Sequence, residues 1–193
     1  LHPRVRRQRQ MCIRDRIIGA VNTIVNDDGR LTGYITDGEG FVHNLKDHGV
    51  DIKGKKITVA GGGGAATAIQ VQCALDGARE ITIFNIKDAF FERTLQTAEK
   101  IRKAVPGIVV NVYDIADTAK MTEEITSSDI FANATIVGMK PMDDQSVVKD
   151  LSAFRPGLVV CDAVYNPAET KLLREAKEAG CTCIGGKGMP VSY

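Results

Sequence analysis

The sequence lacks several features that define whole classes of protein. No apolar run approaches the roughly 20 residues of a membrane-spanning helix, and no segment resembles the apolar core of a secretory signal. The five cysteines are odd in number and include no Cys-x-x-Cys pair, which indicates a reducing compartment and no zinc site. We find no internal repeat and no low-complexity segment. These absences exclude a membrane protein, a secreted disulfide scaffold and a collagen-like or disordered chain, so we expect a cytoplasmic globular protein without a membrane partner.

The charge is nearly balanced, at a formal net of +1, but it is unevenly distributed. Residues 1–16 contain six arginines and one acidic residue, so the other 19 basic and 23 acidic residues carry a net charge of −4. This mildly acidic remainder argues against nucleic acid as a partner. The basic arm is either a tail for nucleic acid or membranes, or not native to the protein. Because Met11–Arg16 resembles a translated sequencing adapter, we favour the second interpretation and exclude the arm from the fold.

The remaining sequence predicts a hairpin, a helix and then an alternation of strands and helices. Two β-prone runs, Ala20–Val25 and Leu31–Tyr34, flank a turn and predict the hairpin, and a helix is predicted over residues 38–48. The later predicted strands are 57–60, 81–84, 108–113, 130–133, 158–161 and 182–184, with helices at 65–75, 91–105, 119–126 and 170–179. Apolar strands that do not alternate, separated by helices, predict an α/β fold with a doubly wound parallel sheet of the Rossmann type.

A glycine-rich loop, Gly61-Gly62-Gly63-Gly64-Ala65-Ala66, directly follows a predicted strand and opens a predicted helix. It fits the dinucleotide fingerprint G-x-G-x-x-A, with Gly61, Gly63 and Ala66 in the defined positions. Gly61 permits a tight turn, Gly63 lets the backbone approach a pyrophosphate, and Ala66 lets the helix pack on the strand. Backbone N–H groups at the helix start would then face the phosphates. The alternative is a glycine-rich turn that binds nothing.

The end of the next strand, Asn85-Ile86-Lys87-Asp88, bears on which dinucleotide is bound. An acidic residue there accepts the ribose 2′-hydroxyl of NAD, whereas an arginine favours the 2′-phosphate of NADP. Asn85 can hydrogen-bond ribose, Lys87 can pair with a phosphate, and Asp88 repels one. Because these charges nearly cancel and the segment has no arginine, we expect NAD as the favoured cofactor, with NADP tolerated. Asp88 is also a candidate N-cap of the following helix.

Several short motifs occur in the order found in a known enzyme family. They are Gly19-Ala20-Val21-Asn22-Thr23, Tyr34-Ile35-Thr36-Asp37-Gly38, the glycine loop, Asn85, Asn133-Ala134-Thr135, Val137-Gly138-Met139, Val164-Tyr165-Asn166-Pro167 with Thr170 and Leu172-Leu173, and Gly188-Met189. This succession resembles the shikimate dehydrogenase family. Residues 85–91 and 138–141 are most similar to its quinate/shikimate dehydrogenase branch. The resemblance covers about residues 17–189.

The resemblance implies a substrate domain, a dinucleotide domain and an active site between them. It implies reversible oxidation of a ring hydroxyl of shikimate or quinate, in the pathway to aromatic amino acids, with hydride passing to the nicotinamide. The family's substrate-binding Asn falls on Asn22, and its Asp, which partners the catalytic lysine and contacts substrate, falls on Asp37. A carboxylate in that position would orient the lysine and stabilise its charged form. The sequence pattern alone instead favours Asp37 as a helix N-cap.

By the same resemblance, three groups of residues would hold the dinucleotide. The pyrophosphate would lie on Gly61, Gly62, Gly63, Gly64 and Ala65, the adenosine ribose on Asn85, Lys87 and Asp88, and the nicotinamide end on Lys140, Ala163, Val164, Tyr165, Asn166 and Gly188. Asn133, Asp162 and Gly185 lie at predicted carboxyl ends of strands, where such sheets bind ligands, which supports the group as a whole. Lys140 is alternatively a solvated loop lysine, and Tyr165 alternatively packs in the core.

The sequence also departs from the family pattern. The family's catalytic lysine lies in a motif resembling Asn-x-Thr-x-Pro-x-Lys, and neither this motif nor the family's substrate-binding serines occur here. Ile35 replaces the usual Asn, Ile86 replaces the usual Arg, and the family's Gln-bearing helix after Met189 is missing. We therefore expect a fragment without turnover of its own, from a protein that forms a homodimer when intact.

These observations divide the chain into five parts. Residues 1–16 are a non-native arm, residues 17–37 are the remnant of a substrate domain, and residues 38–54 are a connecting helix. Residues 55–189 are the NAD(P)-binding domain, and residues 190–193 are a non-native tail.

Two other classes of function stay open at this point. One is another dehydrogenase with the same domain, such as a relative of methylenetetrahydrofolate dehydrogenase or glutamyl-tRNA reductase; the other is a non-catalytic dinucleotide-sensing module. No metal site is expected, because Cys181 and Cys183 share one strand face and fit a packing role. His43 and His48 have no partner at metal-ligand spacing and are predicted to be solvated.

Overall fold

The structure, a computed structural model, describes residues 17–19, 22–27, 30–89 and 91–189. The predicted arm at residues 1–16 and the predicted tail at residues 190–193 lie outside the described residues. So do Ala20, Val21 and part of the predicted hairpin turn.

The first element is a two-stranded antiparallel hairpin. Strand β1 (Thr23–Asp27) pairs with strand β2 (Arg30–Tyr34), in a register that places Thr23 opposite Tyr34. The predicted hairpin is therefore confirmed. It forms a sheet of its own, separate from the main sheet.

Six parallel strands form the main sheet. They are β3 (Lys56–Ala60), β4 (Glu80–Asn85), β5 (Val109–Asp114), β6 (Ile130–Asn133), β7 (Val159–Asp162) and β8 (Thr182–Gly185). Their order across the sheet is β5-β4-β3-β6-β7-β8. The chain thus winds outward from β3 in one direction and from β6 in the other, and the predicted doubly wound sheet is confirmed.

Helices connect most of these strands. They are α1 (Asp37–Asp47), α2 (Gly64–Leu75), α3 (Phe91–Ala104), α4 (Thr118–Thr126) and α5 (Lys171–Glu178). Between β6 and β7 the chain instead runs through a long coil with one short 3₁₀ turn at Leu151–Ala153. A second 3₁₀ turn, Gly186–Gly188, follows β8.

Both faces of the main sheet are covered, as its apolar strands require. All five residues of β3 are buried. Val59 packs into a core cluster with α1, α2 and α3, whereas its neighbour Ala60 packs into a second cluster with α4 and α5. Successive residues of a strand point to opposite faces, so the sheet separates the core into these two layers.

Helix α1 packs closely across α2. A Cβ on Gly38 would lie 2.8 Å from Gln72 Cβ and would collide with the Ala68 carbonyl oxygen, so no side chain fits at residue 38. Gly49 follows the helix with φ 75°, a left-handed conformation that favours glycine. The predicted end of this helix is therefore confirmed.

Candidate functional site

A cavity of about 580 Å³ lies at the carboxyl ends of β3 and β6. The winding direction of the sheet reverses between these two strands, and open α/β sheets bind ligands in the crevice outside that point. The walls come from residues 61–63 of the glycine loop, residues 85–86 after β4, and parts of the segments 115–118 and 134–149. The cavity is therefore placed where the fold predicts a ligand.

The turn at the start of the glycine loop is shaped by contacts that leave no room for a side chain at Gly61. Gly61 has φ 121°, which favours glycine, and a Cβ there would lie 2.6 Å from the Ala134 carbonyl oxygen. The same Cβ would lie 3.2 Å from the Cβ of Ala66, which is fully buried. The tight turn predicted at Gly61 and the close packing predicted at Ala66 are both found.

Open space lies beside Gly63, the N-cap residue of α2. No atom lies within 4 Å of a Cβ built on Gly63, and no side chain caps the helix. The first turn of α2 contains no acidic residue. The N–H groups at the helix start and the positive end of its dipole are thus left for an anion, and a diphosphate fits both the space and the charge.

Gln70 on α2 supports the loop from within the core. This residue is fully buried, and its Nε2 donates to the Gly61 carbonyl oxygen at 2.9 Å. Its Oε1 is buried and makes no hydrogen bond within the described residues. Sequence reasoning missed Gln70 because the fingerprint defines only the glycine and alanine positions.

Asn85, the predicted ribose ligand, lies directly against the glycine loop. Its Nδ2 donates to Thr94 Oγ1 at 3.0 Å, and a Cβ on Gly62 would collide with that nitrogen. Asn85 therefore lines the cavity while part of its side chain positions the loop. Lys87 and Asp88, predicted beside it, are exposed and do not line the cavity.

The outer walls of the cavity are apolar. Ile86 and Ile136 line it with 60% and 63% of their surfaces exposed, and Ile115 lines it after β5. Large apolar side chains with this exposure suit a ligand with a flat, apolar part. Sequence reasoning missed the walls at Ile115 and Ile136, although both lie just after predicted strand ends.

Asp162, at the end of β7, joins two loops at this edge of the sheet. Its Oδ1 accepts hydrogen bonds from Asn133 Nδ2 and from the Val164 N–H, both at 3.0 Å. Its Oδ2 accepts one from Thr170 Oγ1 at 2.6 Å. Asn133 in turn accepts from the Thr135 N–H at 3.1 Å, and Thr135 lines the cavity. Burial raises the pKa of Asp162 from 3.8 to about 6, although these hydrogen bonds lower it.

The residues predicted for the nicotinamide end lie beside this network but outside the cavity lining. Lys140, Tyr165 and Asn166 are exposed, and Tyr165 has 68% of its surface accessible. The alternative that Tyr165 packs in the core is therefore wrong. Lys140 is a loop lysine, as its alternative predicts, and a role with a ligand there stays a prediction.

Helix α1 is tied to the same edge of the sheet. Asn44 Nδ2 donates to the Gly185 carbonyl oxygen at 3.0 Å, and a Cβ on Gly188 would collide with Asn44 Oδ1. A Cβ on Gly186 would lie 2.6 Å from the Ala163 carbonyl oxygen. The turns after β7 and β8 and the helix α1 are thus in contact.

Asn22 and Asp37, predicted to bind substrate, contact each other. Asn22 Nδ2 donates to Asp37 Oδ1 at 2.9 Å, and Asn22 Oδ1 accepts from the Thr36 N–H at 3.1 Å. Asn22 is exposed and Asp37 is half-buried. Thr36 is the N-cap residue of α1 and Asp37 its first helical residue, so the alternative of Asp37 as N-cap is wrong.

The described residues contain no group of three or more His, Cys, Asp and Glu side chains that could hold a metal ion. In the same part of the chain, no helix is long and apolar enough to cross a membrane. Cys181 and Cys183 are half-buried and pack against the second core cluster. His43 and His48 are exposed, with His48 Nδ1 2.8 Å from the Asn44 carbonyl oxygen.

Comparison with known proteins gives several shikimate and quinate dehydrogenases and, among the solved structures, a 5-ketofructose reductase. No family model matches the sequence. A quinate/shikimate dehydrogenase of Escherichia coli is 48% identical over 174 residues, which are 90% of this chain and 60% of that protein. A shikimate 5-dehydrogenase from Listeria monocytogenes, solved with shikimate and NAD, is 49% identical with a TM-score of 0.86, over 91% of this chain and 61% of that one.

A third relative is a shikimate dehydrogenase solved with NADP⁺, which is 33% identical with a TM-score of 0.76, over 91% of this chain and 58% of that one. The chain therefore spans about three fifths of the length of these relatives. Over about nine tenths of its own length, the chain is similar in sequence and in fold to the shikimate dehydrogenase family, as its motifs predicted.

Proposed function

We propose that this chain is the dinucleotide-binding part of an NAD(P)-dependent oxidoreductase that acts on the ring hydroxyl of shikimate or quinate. The observation that carries the proposal is the open space beside Gly63, at the helix start and next to the cavity at the reversal point of the sheet. The relatives that bind NAD or NADP with a similar fold support it.

The residues of this chain would bind and orient the cofactor. The N–H groups that follow Gly63 would hold the diphosphate, and Ile86 and Ile115 would cover the flat adenine. The predicted nicotinamide residues, Lys140, Gly188 and residues 163–166, would hold the other end of the dinucleotide. When bound, the dinucleotide supplies the hydride acceptor or donor for the ring carbon of the substrate.

The pair Asn22 and Asp37 would bind the substrate alcohol. Nδ2 of Asn22 donates to Oδ1 of Asp37, and the second carboxylate oxygen of Asp37 would accept a substrate hydroxyl or orient a lysine base. The family's motif for that lysine does not occur in this sequence.

We infer a preference for NAD over NADP. Ile86 stands where an arginine would pair with a 2′-phosphate, and Asp88 nearby would repel one. Lys87 reduces this repulsion, so NADP would bind more weakly rather than be rejected. Calorimetric titration of both cofactors into the chain measures the difference, and equal or tighter binding of NADP would contradict it.

The central test is a substitution that adds charge at Gly63 without harming the helix. Because Asp and Asn are good N-cap residues and the space at Gly63 is open, both Gly63→Asp and Gly63→Asn should keep or slightly raise the free energy of unfolding. Gly63→Asp should also weaken NAD binding by about tenfold or more, because its carboxylate faces the diphosphate. Gly63→Asn is the matched neutral control and should weaken binding less.

The outcomes of this titration separate the candidate functions. No binding of NAD or NADP at millimolar concentration would overturn the proposal. Binding that is unaffected by Gly63→Asp would place the cofactor elsewhere. An activity assay with the missing lysine segment supplied tests the alternatives. If the chain is a non-catalytic sensing module, it should bind the dinucleotide but contribute to no oxidation of shikimate or quinate. If it belongs to another dehydrogenase, it should be active on neither compound.

A further inference from the structure

Asp162 is a buried carboxylate that the proposed function does not use. Only 2% of its surface is exposed, at the carboxyl end of β7. Asn133, Val164 and Thr170 hold both of its oxygens in place through three hydrogen bonds. A burial this complete, with a fixed orientation, gives the carboxylate a defined electrostatic effect on whatever binds beside it.

No cation among the described residues neutralises this carboxylate. Its neighbours across the sheet are Asn133 on β6 and Gly185 on β8, both uncharged. Thr170 at the start of α5 is also uncharged. On the strand of Asp162 itself, burial and the charges of its neighbours, Asp162 among them, raise the pKa of the Cys161 thiol. The ionised form of Asp162 is therefore stabilised by hydrogen bonds alone.

The position of Asp162 places that charge near one end of the proposed cofactor. It directly precedes Ala163 and residues 164–166, which are predicted to meet the nicotinamide. NAD⁺ and NADH have nearly the same shape, but the nicotinamide ring of NAD⁺ carries a positive charge that NADH lacks. A fixed negative charge beside the ring attracts NAD⁺ and has no such attraction for NADH.

We propose that the carboxylate of Asp162 sets the preference of this site for the oxidised over the reduced dinucleotide. This inference rests on the proposed function, because it needs the nicotinamide to lie beside residues 163–166. Asp162 would thus act on the cofactor through its charge, in addition to holding the two loops through its hydrogen bonds. The hydrogen bonds act equally on both cofactor forms, whereas the charge distinguishes them.

The ionisation of Asp162 provides the means of testing this role. Because the pKa of Asp162 is about 6, its charge is present at pH 7.5 and mostly absent near pH 5.5. The ratio of NAD⁺ affinity to NADH affinity should therefore fall by about two- to fourfold between these two pH values, because about a quarter of Asp162 is still ionised at pH 5.5. Loop order or fold stability would change both affinities together and would leave the ratio unchanged.

The experiment measures the dissociation constants of NAD⁺ by calorimetry and of NADH by its fluorescence, from pH 5.5 to pH 8, with the full chain. Asp162→Asn keeps the size of the side chain and removes its charge, so the ratio should be low and independent of pH. Thr170→Val removes a hydrogen bond to Oδ2 and should move the midpoint of the wild-type change to higher pH. Asp129→Asn, at the amino end of β6, is the matched control and should behave as wild type.

The possible results distinguish this inference from the proposal beneath it. If wild type binds both cofactors with a ratio that does not change with pH and equals that of Asp162→Asn, the inference is overturned and the proposed function stands. If neither cofactor binds, both are overturned. A pH-dependent ratio that persists in Asp162→Asn would assign the effect to another group and would also overturn the inference.

Discussion

At the scale of single residues, charged side chains from the first residues of β3 and β4 and from helix α4 form a buried cluster. The cluster lies at the opposite end of the strands from the cavity. Lys56 Nζ donates to Glu124 Oε2 at 2.7 Å and lies 3.1 Å from Glu80 Oε1. Burial lowers the pKa of Lys56, but the hydrogen bonds with these two carboxylates outweigh it and raise the pKa above 10.5. Burial raises the pKa of Glu124, but the hydrogen bonds from Lys56 and Lys120 outweigh it and lower the pKa below 4.5.

We expect Lys56→Met to lower the free energy of unfolding by about 3 kcal/mol at pH 7, because it leaves two carboxylates without their buried cation. A lowered pKa means that the contribution of Glu124 is present above its unfolded-state pKa and is lost as the pH falls through its folded-state pKa. The cost of the substitution should therefore shrink in acid, where Glu124 becomes protonated.

Urea unfolding of wild type and Lys56→Met at pH 7 and near pH 4 measures this difference. Lys177→Met is the control, because Lys177 and Glu169 form an exposed pair, which contributes about 0–1 kcal/mol. A Lys56→Met variant that costs no more than Lys177→Met would contradict the prediction.

At the scale of elements, helix α2 both starts at the glycine loop and fixes its shape. Gly61 needs its φ of 121° to turn the chain from β3 into α2, and Gln70 holds the carbonyl of Gly61 from two turns further along the helix. The helix thus shapes the loop at its own N-terminus, where the diphosphate is proposed to bind. The glycine loop is therefore connected to the first residues of α2 and is also held by Gln70 from the interior of the helix.

We expect Gln70→Met to weaken NAD binding by about three- to tenfold, the effect of one hydrogen bond. Met keeps the length of the side chain but cannot donate to Gly61. The free energy of unfolding should change by less than the free energy of NAD binding. The reason is that the substitution also removes the buried Oε1, which has no partner within the described residues.

Calorimetric titration together with thermal unfolding separates the two effects. Gln96→Met, at an exposed position of α3, is the control and should change neither. Equal NAD affinity in Gln70→Met and wild type would mean that the loop keeps its shape without this hydrogen bond.

At the scale of the whole molecule, α1 connects the two proposed parts of the site. It begins at Asp37, beside Asn22, and its residue Asn44 contacts Gly185 and Gly188 at the edge of the main sheet. The hairpin and the sheet are thus linked by a helix that contacts both. Asp37 of the proposed substrate pair thus lies on the same helix as Asn44, which contacts the proposed cofactor edge.

We expect no measurable oxidation of shikimate or quinate by this chain in the presence of NAD or NADP, even with the proposed cofactor site in place. Asp37 is present, but the lysine motif that it would orient does not occur in the sequence. A spectrophotometric assay of NADH formation measures this directly. Robust turnover by the chain alone would show that another base, such as Lys187, replaces the lysine.

The sequence was sufficient to predict the strands, the helices and the glycine loop because their signals are local. Apolar runs, the glycine that ends α1 and the spacing of the fingerprint each depend on residues that are close in the chain. The hairpin and all six parallel strands were found within a few residues of the predicted positions, although β1 continues to Asp27 through part of the predicted turn. The substrate-binding roles predicted for Asn22 and Asp37 came from the family resemblance, and the hydrogen bond between them was found only in the structure.

Only the tertiary structure decided the contacts between residues that are far apart in the sequence. The hold of Gln70 on Gly61, the three bonds to Asp162 and the docking of Asn44 on Gly188 depend on how packed elements approach one another. No periodicity encodes such approaches, because they are set by side-chain shape across the core. The sequence by itself determined a doubly wound sheet with a loop suited to phosphate. The packing determined which side chains hold that loop and which partners hold the buried carboxylate of Asp162 at the end of β7.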